Sequence, residues 1–269
     1  MKNVYKYEFK TNFKTVLIWL ISLMIVSWVL IVFYQSAILD IQEFNKFLSG
    51  YSEDLLKALQ FDFSNLFSFE NYFSGIILYI NLCLAIEASI LSFSIFTKEL
   101  KLKLSDYLYS KPLTRSSILF QKFMAGLSLL VLEFLFLLAF NLVVANTLIP
   151  EVELVKLSIV DLSMFFVLIV FYSFSFFLSC IMKNWKNPNI RGIEITMIFF
   201  MFKIINNIGS SGDFVDYLKY ISFFDYSDPR VLALNNFYSI ENLCLILAIV
   251  VLSLLFGFSI FKRKNLQSS

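Results

Sequence analysis

Three glutamates interrupt long apolar stretches of this 269-residue chain and are the residues best placed to do chemistry: Glu87, Glu133 and Glu194. At the depth of a bilayer a carboxylate costs at least ~2.5 kcal/mol unless it faces a polar cavity, pairs or takes up a proton. Each glutamate is therefore a candidate for the lining of a substrate path. For Glu87 and Glu133, interhelical hydrogen bonding is the main alternative. Glu194 follows Arg191 by three residues, so a helix would let them form a structural ion pair.

Other catalytic patterns are absent from the sequence. No Gly-rich loop ends in Gly-Lys-Ser or Gly-Lys-Thr, so the chain cannot bind ATP in the P-loop manner. There is no His-Glu-x-x-His, no Gly-x-Ser-x-Gly and no paired Glu-Glu motif at membrane depth, which argues against an intramembrane protease or acyl enzyme. The chain has no His, and Cys83, Cys180 and Cys244 fall in different apolar stretches. We therefore expect no enzyme activity, no metal site, no disulfide framework and no cofactor in this chain.

The elements that must position these residues follow from the composition. The chain is 59% hydrophobic and 16% charged with only 7 Gly, which is too apolar for a soluble domain. It is predicted to be an all-α integral membrane protein, a single transmembrane domain over residues 1–269. Six transmembrane helices are expected, each long enough to cross about 30 Å of hydrocarbon. The predicted spans cover residues 16–34, 73–96, 123–145, 162–182, 192–208 and 243–261.

Two of these elements carry specific expectations. The fifth span contains Glu194 and Lys203, so it is expected to be short, kinked or facing a polar cavity. Residues 1–15 place Tyr5, Phe9 and Phe13 at helical spacing beside a lysine stripe. This pattern predicts a short interfacial helix on the inner leaflet, the alternative being a frayed basic tail.

Charged residues alternate in sign between successive loops. The basic group, accompanied only by Glu8, Glu99 and Asp106, consists of Lys2, Lys6, Lys10, Lys14, Lys98, Lys101, Lys103, Lys111, Arg115, Lys122, Lys183, Lys186, Arg191, Lys262, Arg263 and Lys264. The other loops are mostly acidic, and one of them is predicted to contain Asp161. By the positive-inside rule both termini are cytoplasmic. The last outer segment, 210–242, holds Tyr217, Tyr220, Phe223, Phe224 and Tyr226, a predicted aromatic belt near the headgroups.

The segment between the second and third spans, from Lys98 to Lys122, is amphipathic and too polar to cross the membrane. Leu104, Tyr107 and Leu108 share one helical face, and Pro112 ends that helix. A helix that presents apolar residues to the cytosol must cover them with lipid or with a partner. The sequence thus predicts a short exposed helix, a rigid turn and a return into the membrane.

In this loop the chain resembles the permease subunits of ATP-binding-cassette (ABC) transporters of the type-2, exporter-like family. Glu99, Pro112, Arg115 and Lys122 fall on that family's Glu, Pro, Arg and Lys positions in register, while Lys103 and Leu104 replace its Gly-Thr pair. The basic ending from Phe261 to Leu266 is similar as well, with Asn265 where the family often has Asp.

The resemblance implies a coupling helix around residues 102–110 that docks on a separate cytoplasmic ABC ATPase subunit, with the N-terminal helix bracing the contact. The implied coupling residues are Glu99, Leu104, Tyr107, Leu108, Pro112 and Arg115. It also implies a second permease chain, as a homodimer or heterodimer, and ATP bound by the partner ATPase. Export of an antimicrobial-peptide, drug-like or lipid-like substrate, as in multidrug or bacteriocin efflux, is the expected activity.

The expected partners are thus the ATPase subunit, a second permease chain and the lipid bilayer, with no nucleic acid. We expect a multi-pass protein of a bacterial cell membrane. Two other classes remain open: a non-transporting anchor or sensor that recruits a partner through the same loop, and an ion-coupled secondary carrier. An anchor or sensor would not need glutamates at membrane depth. A secondary carrier would need broken helices around a polar site at the middle of the membrane, and only the fifth span suggests such a feature.

Overall fold

A computed structural model describes residues 2–39, 50, 68–102, 115–149, 152–181, 187–208 and 220–263 of the chain. Over these residues the secondary structure is helical. The helices are α1 Lys2–Leu39, α2 Phe69–Leu102, α3 Arg115–Leu148, α4 Leu154–Ile181, α5 Pro188–Ile208, α6 Pro229–Asn235 and α7 Ile240–Arg263. All but α6 contain one of the predicted spans, extended by several residues, and Met182 at the end of the fourth span lies outside the described residues.

Five of the described helices, α1, α2, α3, α4 and α7, are long and apolar enough to cross a membrane. The chain is therefore a multi-pass membrane protein with an all-helical fold. The fifth predicted span corresponds to α5, which falls outside this group because Arg191, Glu194 and Lys203 interrupt its apolar sequence. It is not broken, however, and runs as one α-helix of 21 residues.

The N-terminal region differs from the sequence prediction. A separate interfacial helix over residues 1–15 is wrong, because α1 continues without a break for 38 residues from Lys2 to Leu39. Residues 1–34, which cover both predicted segments, contain no Gly or Pro, so no helix-breaking residue separates the first segment from the second. The predicted aromatic stripe does form: the ring of Phe9 stacks on both Tyr5 and Phe13.

Helices α2 and α4 form the centre of the bundle and make its most extensive helix pair. On one side α1 packs against α3, and the two run in the same direction because Tyr5 contacts Ser128 and Ser27 contacts Asn141. On the other side α5 packs against α2 and α7 against α4. Gly192 allows the first of these contacts, since a Cβ there would lie 2.8 Å from the backbone nitrogen of Ile90.

The aromatic residues before α6 pack inward, so the predicted headgroup belt is wrong for three of the four members that the structure describes. The fifth, Tyr217, lies outside the described residues. Phe224 and Tyr226 are buried, and Phe223 stacks on Phe199 of α5 with ring centroids 4.1 Å apart. Only Tyr220 is largely exposed. Packing between α4 and α5 removes these rings from water more completely than a headgroup surface would. Contacts between aromatic rings add to the free energy gained by this burial.

Candidate functional site

The glutamate pair, Glu87 and Glu133, lies at the middle of the bundle. Each residue stands eighteen positions after the start of its helix and fifteen before its end, Glu87 on α2 and Glu133 on α3. Their side chains are almost inaccessible, with relative exposures of 2% and 1%. The two carboxyl groups face each other within hydrogen-bonding reach, and none of their four oxygens has a donor among the described residues. A pair of glutamates absent as a linear motif is therefore assembled from two helices.

A second polar group links three helices farther along the bundle. Ser27 of α1 donates a 2.7 Å hydrogen bond to Asn141 Oδ1, and Asn141 Nδ2 donates a 3.0 Å bond to Asp161 Oδ1. Asp161 is fully buried in α4, which corrects its placement in an outer loop. The helix begins seven residues before Asp161, earlier than the apolar run alone suggested. This group fixes α1, α3 and α4 to one another.

The Glu8–Lys122 pair occupies the end of the bundle next to the loop between α2 and α3. Lys122 Nζ lies 3.6 Å from Glu8 Oε1 and donates a 3.0 Å hydrogen bond to the carbonyl of Ile95. Asn12 Nδ2 donates to the other Glu8 oxygen at 3.3 Å. Both charged side chains are buried, although the sequence had assigned them to exposed basic segments. Contacts of this kind tie α1, α2 and α3 together where the loop meets the bundle.

At the opposite end lies the Lys203 cluster, made of Lys203, Asp225, Asp228 and Arg230. Lys203 is fully buried, and its ammonium donates to Asp228 Oδ2 at 2.8 Å and to Asp225 Oδ1 at 3.1 Å. Arg230 NH2 donates to Asp228 Oδ2 at 2.7 Å. Asp228 also caps α6, because its Oδ1 accepts from the backbone N–H of Arg230. One carboxylate thus holds α5, α6 and the segment between them.

The two aspartates of the Lys203 cluster respond differently to their surroundings. Burial acts to raise the pKa of Asp228, but the charges of Lys203 and Arg230 outweigh burial and hold that pKa below its ordinary value. For Asp225 burial prevails and raises the pKa, although Lys203 acts in the opposite direction. Asp228 is therefore the firmly ionised member of the cluster.

Glu194, the third glutamate of the sequence prediction, is not buried with Glu87 and Glu133. Its side chain is 46% exposed and accepts a 2.6 Å hydrogen bond from Arg191 NH1. The predicted ion pair is thereby confirmed. Gly192, Thr196 and Lys203 form the buried face of α5, so a residue two positions after Gly192 points to the other side.

Most of the predicted ATPase-coupling residues fall outside the described part of the chain. Leu104, Tyr107, Leu108 and Pro112 lie there, so their assignment stays a prediction. The backbone of Glu99 belongs to the last turn of α2, and Arg115 is the first residue of α3. The two ends of the loop are consequently helical, one entering it and one leaving it.

Several buried polar residues were missed by reading the sequence. Glu8 and Lys122 were counted as surface charges, while Asp161 and Asn141 attracted no functional reading. Their positions three to four residues from buried apolar neighbours gave a usable signal, since Leu119, Leu157 and Leu137 lie on the same helical faces.

Two comparisons with known proteins bear on this arrangement. A family model described as ABC-2 family transporter protein matches residues 2–266, nearly the whole chain. No curated protein matches significantly.

Proposed function

The chain belongs to the ABC-2 family of transporter proteins, and from that premise we propose that it forms the membrane pathway of an ATP-driven exporter. The observation that carries this proposal is the family match, which extends over all seven helices and the loop between α2 and α3. Permeases of this kind are membrane components and not themselves catalytic. We assign ATP binding and hydrolysis to a separate cytoplasmic subunit because the chain has no P-loop sequence.

The ATPase would dock on the loop between Glu99 and Arg115. Support comes from the helices at its two ends, because Lys122 lies seven residues into α3 and joins this helix to Glu8 of α1 and to the Ile95 carbonyl of α2. Force applied to the loop would therefore reach three helices through buried contacts. ATP-driven motion would shift the population between inward-open and outward-open states.

We propose six spans in the bilayer, with α5 as the fifth and both termini in the cytoplasm. Its 21 residues would rise about 31 Å, enough to cross the hydrocarbon core. Lys203 need not oppose this crossing, because two aspartates neutralise it inside the protein. An even number of spans also agrees with basic residues at both ends of the sequence.

Two such chains, identical or homologous, would enclose the substrate path in a bacterial cell membrane. The exported substrate is proposed to be an antimicrobial peptide, a drug-like molecule or a lipid-like molecule. This choice rests on the family analogy alone.

The coupling assignment can be tested by co-expressing the chain with a P-loop ATPase encoded in the adjacent reading frame. Leu104→Glu places a charge on the proposed docking face and is expected to reduce capture of the ATPase about tenfold or more, since 1.4 kcal/mol corresponds to tenfold in affinity. ATP-driven transport in proteoliposomes should fall in parallel. Leu234→Glu is the matched control, because Leu234 is an exposed leucine of α6, at the opposite end of the bundle. Unchanged capture and transport in Leu104→Glu would reject the docking site.

Topology requires a separate experiment. Fusions of alkaline phosphatase and green fluorescent protein after residue 148 and after residue 263 place reporters at the ends of α3 and α7. Six spans predict phosphatase activity only for the first fusion and fluorescence only for the second. Phosphatase activity at the second position would mean that α5 does not cross.

A further inference from the structure

The glutamate pair brings two buried carboxyl groups into contact, and neither has a partner of opposite charge among the described residues. Each carboxyl group instead meets the other, and no cation acts on either one among the described residues. The thiol of Cys83, one turn before Glu87 on α2, is the other group that acts on the pair. The pair is therefore a site with two acidic groups and four oxygens that lack a donor among the described residues.

Chemistry limits how such a site can exist. An ionised carboxylate only accepts hydrogen bonds, so two of them in contact would have four acceptor oxygens and no donor. Like charges at short range inside a protein also repel strongly, and such dyads retain a proton. One proton resolves both conflicts because it turns one glutamate into a donor to the other.

Neighbouring helices offer no alternative counter-charge. The other buried titratable groups of the described helices are engaged elsewhere: Glu8 of α1 with Lys122 of α3, Asp161 of α4 with Asn141, and Lys203 of α5 with Asp225 and Asp228. The Tyr172 hydroxyl of α4 donates to the carbonyl of Phe123. On α7, Glu241 and Lys262 are exposed. A proton taken up from water would thus supply the missing hydrogen-bond donor and remove one of the two negative charges.

We propose that Glu87 and Glu133 form a single proton-binding site that holds at least one proton at neutral pH and joins α2 to α3 through it. Loss of the proton leaves two carboxylates in contact, and their repulsion drives the two helices apart at mid-bundle. Binding and release exchange one proton with water and involve no other reactant. The site itself stands on the geometry, whereas its participation in a transport cycle rests on the proposed function.

The infrared spectrum of the purified full-length chain in nanodiscs tests the site directly. A protonated carboxylic acid has a C=O stretching band well separated from those of carboxylates. We expect this band at pH 7, shifted when the protein is grown with ¹³C-carboxyl glutamate, because the isotope separates glutamate from the buried Asp161. It should be lost in Glu87→Gln/Glu133→Gln and retained in Glu153→Gln, which changes an exposed glutamate.

Each outcome decides the matter. Absence of an isotope-shifted band in the wild-type protein at pH 7 would overturn the proposal without any variant having to fold. Persistence of the full band in the double variant would place the proton on another glutamate and would overturn it too. Neither result depends on an ATPase, so a failure of the exporter proposal would leave this test intact.

Discussion

The Lys203 cluster and the glutamate pair both bury carboxyl groups in the bundle, but they balance charge in opposite ways. In the cluster, two aspartates surround one ammonium and a guanidinium adds a second cation, so opposite charges are fixed by side chains of the chain itself. In the pair, a carboxyl group faces a carboxyl group with no cation beside it among the described residues, and the compensating charge that we propose is a proton from solution. The ion pairs of the cluster hold α5 against α6 without any exchangeable group. The proposed proton site, by contrast, joins α2 to α3 only while a proton is bound.

This difference separates structural charge from exchangeable charge. A buried ion is strongly destabilising when its partner is removed, because the remaining charge keeps its desolvation cost. A protonated carboxyl group is neutral, so replacing its partner leaves no unpaired buried charge and no comparable desolvation cost. Substitutions in the two regions should therefore have very different consequences for stability.

Lys203→Met should have the largest effect. It leaves Asp228 with Arg230 alone and Asp225 without a cation, so we expect a loss of about 3 to 5 kcal/mol in stability. The midpoint of thermal unfolding in detergent provides the measurement. Lys156→Met is the control, because the Lys156–Glu153 pair is substantially exposed and exposed pairs contribute about 0 to 1 kcal/mol. Equal losses in the two variants would contradict the structural role of the cluster.

Lys122→Met should come next, with a loss of about 2 kcal/mol, a value in the range for hydrogen bonds to charged groups. The loss is smaller than for Lys203 because Glu8 retains its hydrogen bond from Asn12. Adding Glu8→Gln should recover part of the stability, since it removes the stranded charge. Strictly additive losses in the double variant would mean that the two side chains do not interact.

Acid should weaken the Lys203 cluster through Asp228, with a smaller effect than removing Lys203. The pKa of Asp228 is held below its ordinary value, so its stabilising contribution is fully present above about pH 4 and is lost as the pH falls further. Asp225, whose pKa is raised, opposes this trend on acidification. The difference in thermal midpoint between wild type and Asp228→Asn should accordingly narrow between pH 6 and pH 3. A constant difference would argue that Asp228 is not ionised in the folded protein.

Glu133→Gln should change stability least, by no more than about 1 kcal/mol, because the amide can replace the protonated carboxyl as a donor to Glu87. Thermal unfolding at pH 6 and pH 9 measures both the size of the change and its dependence on pH. We expect the wild type to lose more stability than the variant on going to pH 9. A loss in the variant as large as that of Lys203→Met would remove the distinction between the two regions.

Much of the fold follows from the sequence because long apolar runs have few alternatives to a membrane helix. All six predicted spans lie in helices apart from Met182, which is not described, and the family assignment from the loop motif is confirmed by the match over residues 2–266. Boundaries were less accurate, since helices continue into polar segments as long as no Gly or Pro stops them. The run from Lys14 into the first span and the early start of α4 are examples.

The candidate sites were less predictable because they depend on which helices meet. The apolar spans predicted that Glu87 and Glu133 lie at membrane depth, but nothing in a single sequence shows that α2 and α3 bring them into contact. From the sequence, Lys203 was only a charged residue that interrupted the fifth span. Its partners could not be identified because they lie more than twenty residues later in the chain. Arg191 and Glu194 could be paired correctly because their contact is local to one helix turn.

The continuity of α1 has a mechanical consequence. A straight helix of 38 residues is about 57 Å long and exceeds the thickness of a whole bilayer. Contacts at Glu8 and at Ser27 hold α1 against α3 at two points far apart along the helix. We therefore expect the two helices to move together as one rigid unit, without sliding past each other. Because α3 begins at Arg115, where the proposed docking loop ends, the proposed function implies that a tilt imposed on this loop would displace the Leu39 end of α1 sideways. Because Glu133 and Asn141 also lie on α3, the same tilt would reach the glutamate pair and Asp161 of α4.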